Sequence, residues 1–127
     1  MLHSSYWPAK LLRLSREDTG AFEKTERWVS PADYFYARLF GEPYQVGTSM
    51  ASGTGLFDQN RRRWDRETLR VLPAEEGQLS AISDEPRSGL AREWAERWPA
   101  LRDTPWLPAA GDGACSNVGS GCTGSDR

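Results

Sequence analysis

Only four valines and one isoleucine occur among 127 residues, against twelve leucines and six tryptophans. A parallel sheet covered by helices on both faces is made of runs of Val, Ile and Leu, because its strands are buried on both sides. Five β-branched aliphatics cannot supply such a sheet. The chain therefore reads as a helical and irregular piece of a larger α/β fold, with few short strands. Leu, Ile, Val and Phe together make 21 of 127 residues, below the roughly 20% at which disorder becomes an issue, but disorder also needs a high net charge. Here the net charge is -2. Each tryptophan, moreover, brings a large apolar surface that favours a packed state.

Several classes of function are set aside on the same grounds. No stretch approaches the roughly 20 apolar residues of a membrane span, and Met1–Lys10 lacks the basic and apolar regions of a secretion signal, so a cytoplasmic location is expected. A slightly acidic chain has no general attraction for polyphosphate, so no nucleic-acid partner is expected. The one basic run, Arg61-Arg62-Arg63, lies beside Asp58, Asp65 and Glu67 and reads as a solvated turn. Cys115 and Cys122 read as small packing residues rather than a disulfide, and with the single distant His3 they make no zinc site. No metal site is expected within the chain.

Start and stop signals divide the sequence. Pro8 suits the first turn of a helix running from about Pro8 to Glu17. Asp18-Thr19-Gly20 ends it, and Ala21 to Trp28 reads as a short helical turn burying Phe22 and Trp28. The best-marked helix has Ser30 as N-cap, Pro31 at N1, Asp33 at N3 and Gly41 just past its end. Between Pro43 and Trp64, Tyr44-Gln45-Val46 and Leu56-Phe57 are the only plausible strand pieces, with Asp58-Gln59-Asn60 as a turn. Asp65 caps a helix over Glu67 to Leu72, stopped by Pro73, and Glu75 to Pro86 reads as loop. From Ser88, the three- and four-residue spacing of Leu90, Ala91, Trp94, Ala95 and Trp98 predicts an amphipathic helix broken by Pro99. Trp106 to Ala110 is a short extended apolar segment, and from Gly111 to Cys122 small residues dominate.

An acidic residue between two glycines, directly after a short apolar strand and before a small-residue helix, stands where open α/β sheets place their ligands. Asp112 is that residue, with Gly111 and Gly113 leaving room and the helix N-terminus adding a positive dipole. A Gly-Asp-Gly can also be a plain tight turn. Gly119-Ser120-Gly121 lacks the ending of a P-loop.

Four blocks in register carry a resemblance: His3-Ser4-Ser5-Tyr6-Trp7-Pro8-Ala9-Lys10-Leu11-Leu12, Met50-Ala51-Ser52-Gly53-Thr54-Gly55-Leu56-Phe57-Asp58, Trp64-Asp65, and Leu107-Pro108-Ala109-Ala110-Gly111-Asp112-Gly113-Ala114 with Asn117 and Gly119. From His3 to about Gly124 the sequence resembles the FGGY carbohydrate kinases, most of all their gluconokinase branch. The resemblance implies an α/β fragment of the ribonuclease H-like, actin-like ATPase fold, with residues 1–127 forming part of the N-terminal kinase domain and incomplete at both ends. It implies ATP and Mg²⁺ in the full-length enzyme, a sugar or sugar acid such as gluconate as acceptor, and Asp112 as the general base. Tyr6 and Lys10 match the acceptor region, where Lys10 could pair with a sugar-acid carboxylate, and Gly113 occupies a position that helps select substrate. Tyr6 packed under a loop and Lys10 as a solvated helix residue remain open alternatives.

Two departures qualify the resemblance. Arg13 stands where the family has tryptophan. The family's phosphate loops and adenosine-binding segment are not in this sequence, so no cofactor-binding residue is expected in the chain, and alone it is expected to be inactive. The remaining segments of such a kinase, or another protein, are the partners then implied. The alternative is a non-catalytic remnant or interaction module offering aromatic faces around Trp94, Trp98 and Trp106.

Overall fold

A computed structural model describes residues 5–122 and Gly124. His3 and Ser4 of the first block, and Thr123 and 125–127 at the other end, lie outside the described residues.

Helix α1 (Trp7–Glu17) carries Pro8 in its first turn and buries Pro8 and Leu11. Asp18 does not simply end it. The Asp18 side chain accepts from the Ala21 N–H at 3.0 Å and caps a second helix, α2 (Thr19–Glu23). The helical turn expected over Ala21 to Trp28 is therefore shorter and earlier, and Trp28 instead forms a parallel β-bridge with Leu79. Phe22 and Trp28 are half-buried, their rings 5.1 Å apart. Helix α3 (Pro31–Phe40) has the expected boundaries. Ser30 and Asp33 form a reciprocal capping box, and Gly41 closes the far end in the left-handed region at φ 65°, a conformation that costs glycine nothing. Asp33 is also buried, where it accepts from the Ser80 hydroxyl at 2.8 Å.

Four two-residue strands make two small ladders. β1 (Gln45–Val46) runs parallel to β4 (Ala81–Ile82), and β2 (Phe57–Asp58) is antiparallel to β3 (Arg63–Trp64). β4 lies within the stretch 75–86 that was expected to be loop, and Asp58 belongs to a strand, with the turn shifted to residues 59–62. Within that turn Arg61 pairs with Asp58 and Arg62 with Asp84, whereas Arg63 opens β3; all three side chains are exposed, so the basic run is solvated and only its first two residues lie in the turn. In chain order α4 (Thr48–Ser52) follows β1 and α5 (Arg66–Leu69) follows β3; α5 is capped by Asp65 as expected but ends at Leu69 rather than Leu72.

The amphipathic pattern from Ser88 shrinks to α6 (Arg92–Arg97). Tertiary hydrogen bonds win over periodicity there: the Gly89 and Leu90 N–H groups both donate to the Arg102 carbonyl, and the Ala91 N–H donates to the Leu39 carbonyl. Trp106 pairs with Arg87 in an isolated antiparallel bridge, the only extended pairing found in the segment 106–110. The last helix, α7 (Asp112–Gly119), buries none of its residues.

Two apolar clusters hold these pieces. The larger joins Leu11, Val46, Leu56, Trp64, Leu69 and Leu79, with Trp7 and Met50 against it. The smaller joins Leu39, Phe40, Leu90 and Ala95, with Trp94 and Trp106 alongside. Leu and Trp dominate both, which is how a chain poor in Val and Ile acquires a core. Arg87 fastens the second cluster to β1, donating to Gln45 Oε1 at 3.0 Å and to the Pro43 carbonyl at 3.1 Å. No helix among the described residues is long and apolar enough to cross a membrane.

Candidate active site

Asp112 is exposed and is the first residue of α7, with Gly111 as N-cap. One carboxylate oxygen is held by its own helix, since the Gly113 N–H donates to Asp112 Oδ1 at 2.7 Å. A Cβ placed on Gly113 would meet nothing within 4 Å, so the space beside the carboxylate is open on that side. Gly111 has no side chain to anchor the helix start. Its N–H donates instead to the hydroxyl of Ser49 at 3.0 Å, across 62 positions of sequence.

Ser49 lies on α4, and the other candidate residues meet the same short stretch. The Trp7 N–H donates to the Thr54 carbonyl at 2.9 Å. Tyr6 lies against Gly55, where an added Cβ would come within 2.9 Å of Tyr6 Cβ and where φ is +77°. Both facts require glycine at position 55. Tyr6 is 38% exposed, so it packs on a loop and still faces solvent. Lys10 is exposed and borders an open groove of about 410 Å³ lined by Trp7, Leu11, Leu14, Trp28 and Met50 among others. Asp112 does not line that groove. Residues 49–55 thus touch the segments bearing Tyr6, Lys10 and Asp112: Ser49 reaches Gly111, Met50 borders the Lys10 groove, and Thr54 and Gly55 hold Trp7 and Tyr6.

Two further polar residues belong to this arrangement and were not evident from sequence. Asp84 accepts from the Thr48 N–H at 2.8 Å, from the Thr48 hydroxyl, and from Arg62 Nη2 at 2.7 Å. The Thr48 backbone N–H is the foremost reason its carboxyl is held below the ordinary aspartate value. Ser49 falls one residue before the block beginning at Met50, and Asp84 lies in a polar stretch without periodicity. Only the fold brings them to the site.

Among the described residues no three His, Cys, Asp or Glu side chains gather to hold a metal ion. At the head of α7, where phosphate oxygens would look for N–H donors, the Gly111 and Gly113 groups are already engaged. Trp94 and Trp106, expected to offer aromatic faces, are half-buried: Trp94 Nε1 donates to the Arg38 carbonyl, and Trp106 sits edge-on to Tyr36 and Phe40. Trp98, stacked on Trp94, is the exposed one of the three.

The backbone fold is that of one part of solved sugar kinases. The ligand-bound xylulose kinase of Lactobacillus acidophilus superposes with a TM-score of 0.85 at 28% identity, covering 94% of this chain and 24% of that one. The gluconate kinase of the same organism gives the same values. The fold is therefore a fragment of the actin-like, ribonuclease H-like ATPase class, with about half of its residues in helices and few strands. Residues 1–119 match the FGGY family of carbohydrate kinases, N-terminal domain, and the chain belongs to that family. Among curated relatives, the gluconokinase of Bacillus subtilis is 27% identical over 113 residues, 87% of this chain and 22% of that protein. The xylulose kinase of Escherichia coli is 28% identical over 120 residues, 93% of this chain and 24% of that protein. The chain thus spans less than a quarter of the length of these relatives.

Proposed function

We propose that this chain supplies the acceptor side of an ATP-dependent carbohydrate kinase, with Asp112 as general base toward a hydroxyl of a sugar acid, gluconate foremost. The observation that carries the reading is the exposed carboxylate of Asp112 at the head of α7, one oxygen fixed by the Gly113 N–H and open space beside it. An ionised carboxylate accepts hydrogen bonds only. It can therefore take the proton of an acceptor hydroxyl as that oxygen attacks the terminal phosphorus of ATP. ATP and Mg²⁺ belong in this reading to parts of the kinase outside the 127 residues. Residues 1–127 are part of the N-terminal domain, and the reaction takes place in the cytoplasm.

Gluconate is favoured over a neutral sugar by Lys10, an exposed cation on the groove lined by Trp7 and Met50, which offers a point charge to a carboxylate. Tyr6 lies one turn earlier on the same segment, and Gly113 leaves the acceptor side of Asp112 without a competing side chain.

The test is ATP consumption with gluconate and with xylulose, in the polypeptide that joins this chain to the remaining kinase length. Asp112→Asn is expected to lower kcat by about 10²–10⁴-fold. Lys10→Ala is expected to raise KM for gluconate about tenfold and leave that for xylulose unchanged. Wild-type turnover in Asp112→Asn would remove the base from the scheme. Turnover of gluconate by the 127 residues alone would remove the need for the rest.

A further inference from the structure

Gly111 caps α7 with no side chain of its own, so the direction in which the helix leaves, and with it the position of Asp112, depends on what holds the Gly111 backbone. Ser49 does so through the 3.0 Å bond from the Gly111 N–H to its hydroxyl. A second contact runs alongside: a Cβ on Gly47 would lie 2.8 Å from Pro108 Cβ and 3.4 Å from the Ala109 carbonyl oxygen. The segment 108–111 therefore lies along residues 47–49 at more than one point.

That support is itself clamped. α4 is only five residues long and its N-cap, Gly47, has no capping side chain. A helix of that length does not persist on its own hydrogen bonds. Asp84 supplies the missing cap from a distant part of the sequence, binding both the N–H and the hydroxyl of Thr48, and is in turn held by Arg62 from the β2–β3 turn. At its other end, the Ser52 hydroxyl donates to the Ser49 carbonyl at 2.7 Å. The contacts form one chain from Arg62 through Asp84, Thr48 and Ser49 to Gly111.

We infer that Ser49 is a positioning residue for phosphoryl transfer, its hydroxyl setting the head of α7 so that Asp112 meets the acceptor hydroxyl, with Asp84 holding Ser49 in place. This rests on the reading of Asp112 as the base. Ser49 touches no reacting atom in this scheme. Its effect is geometric, and a displacement of about 1 Å can cost on the order of 10²-fold in rate.

The experiment is steady-state kinetics with gluconate in the polypeptide that carries this chain with the remaining kinase length, alongside thermal melts. Ser49→Ala is expected to lower kcat about tenfold with KM for gluconate and Tm unchanged, and Ser49→Thr, which keeps the hydroxyl, to restore most of the rate. Asp84→Asn is expected to shift kcat in the same direction by less, and it serves as the second measurement if Ser49→Ala does not fold. A wild-type kcat in Ser49→Ala, or in Asp84→Asn when that variant stands alone, overturns the inference. So does an equal loss in Ser49→Ala and Ser49→Thr, or a loss in Ser49→Ala that comes with a raised KM and a lowered Tm. If Asp112→Asn retains wild-type kcat in the same assay, the assignment of the base has failed, and the inference with it. If only the Ser49 and Asp84 variants behave as wild type, the base stands and the positioning role does not.

Discussion

Helices α3 and α7 both begin at residues that the sequence marks, yet they are held in opposite ways. α3 has a reciprocal cap in Ser30 and Asp33, proline in its first turn, a left-handed glycine at its end, and three buried residues. α7 has no side-chain cap and no buried residue, and its eight positions include Gly113, Ser116, Asn117 and Gly119, all poor helix formers. Short helices without packing are marginal in water. Within these 127 residues α3 is held by its own caps and packing, whereas α7 buries no residue and its N-cap, Gly111, is held by the Ser49 hydroxyl. The catalytic candidate sits on the fixed end.

The largest test of this contrast is truncation of one apolar side chain on each helix. Leu39 is only 1% exposed, in the cluster with Phe40, Leu90 and Ala95, so Leu39→Ala is expected to cost about 2–5 kcal/mol. Val118 on α7 is 68% exposed, and Val118→Ala is expected to stay within about 0.5 kcal/mol of wild type. Urea unfolding midpoints measured side by side decide it. A comparable loss for both would mean that α7 is packed in solution, and the contrast between the two helices would be wrong.

The legible parts of the sequence were those governed by local chemistry. Ser30, Pro31, Asp33 and Gly41 fix α3 because each acts within its own turn, and Asp65 does the same for α5. Asp112 stands out as a candidate through its place between two glycines before a small-residue helix and through the family resemblance of that block. What sequence missed is decided by partners far away in the chain. Leu90 and Ala91 have helical spacing, but their N–H groups go to Arg102 and Leu39. Ala81 and Ile82 form a strand only because β1 lies beside them, and two residues carry no period to detect. Ser49 and Asp84 belong to the site through bonds of 62 and 36 positions' separation, which no local pattern encodes.

A finer test exchanges glycine for alanine at the ends of the same two helices, where opposite signs are expected. Gly41 has φ +65°, while an added Cβ would meet Ala91 Cβ at an ordinary 3.6 Å. The conformation alone is therefore the cost, about 1 kcal/mol. Gly119 is helical, has no positive φ, and has open space around it. Gly119→Ala is expected to be neutral or stabilising by up to about 0.8 kcal/mol. Thermal melts give the sign directly, and a loss at both positions would show that α7 is not the loosely held helix described here.

The smallest expected effect concerns acid. Two short helices, α4 and α5, are each capped by an aspartate whose carboxyl is held below the ordinary value of 3.8: Asp65 chiefly by the Thr68 hydroxyl, Asp84 chiefly by the Thr48 N–H. A carboxyl whose value falls on folding favours the folded state while it is ionised. Its contribution is complete above the unfolded value and is lost as pH falls through the folded one. Melts taken from about pH 5 down to about pH 2 should therefore show a decline that is shallower in Asp65→Asn and Asp84→Asn, each less stable than wild type at the upper end and converging with it at the lower. An acid limb as steep in Asp84→Asn as in wild type would show that α4 does not depend on the carboxylate bonds to Thr48.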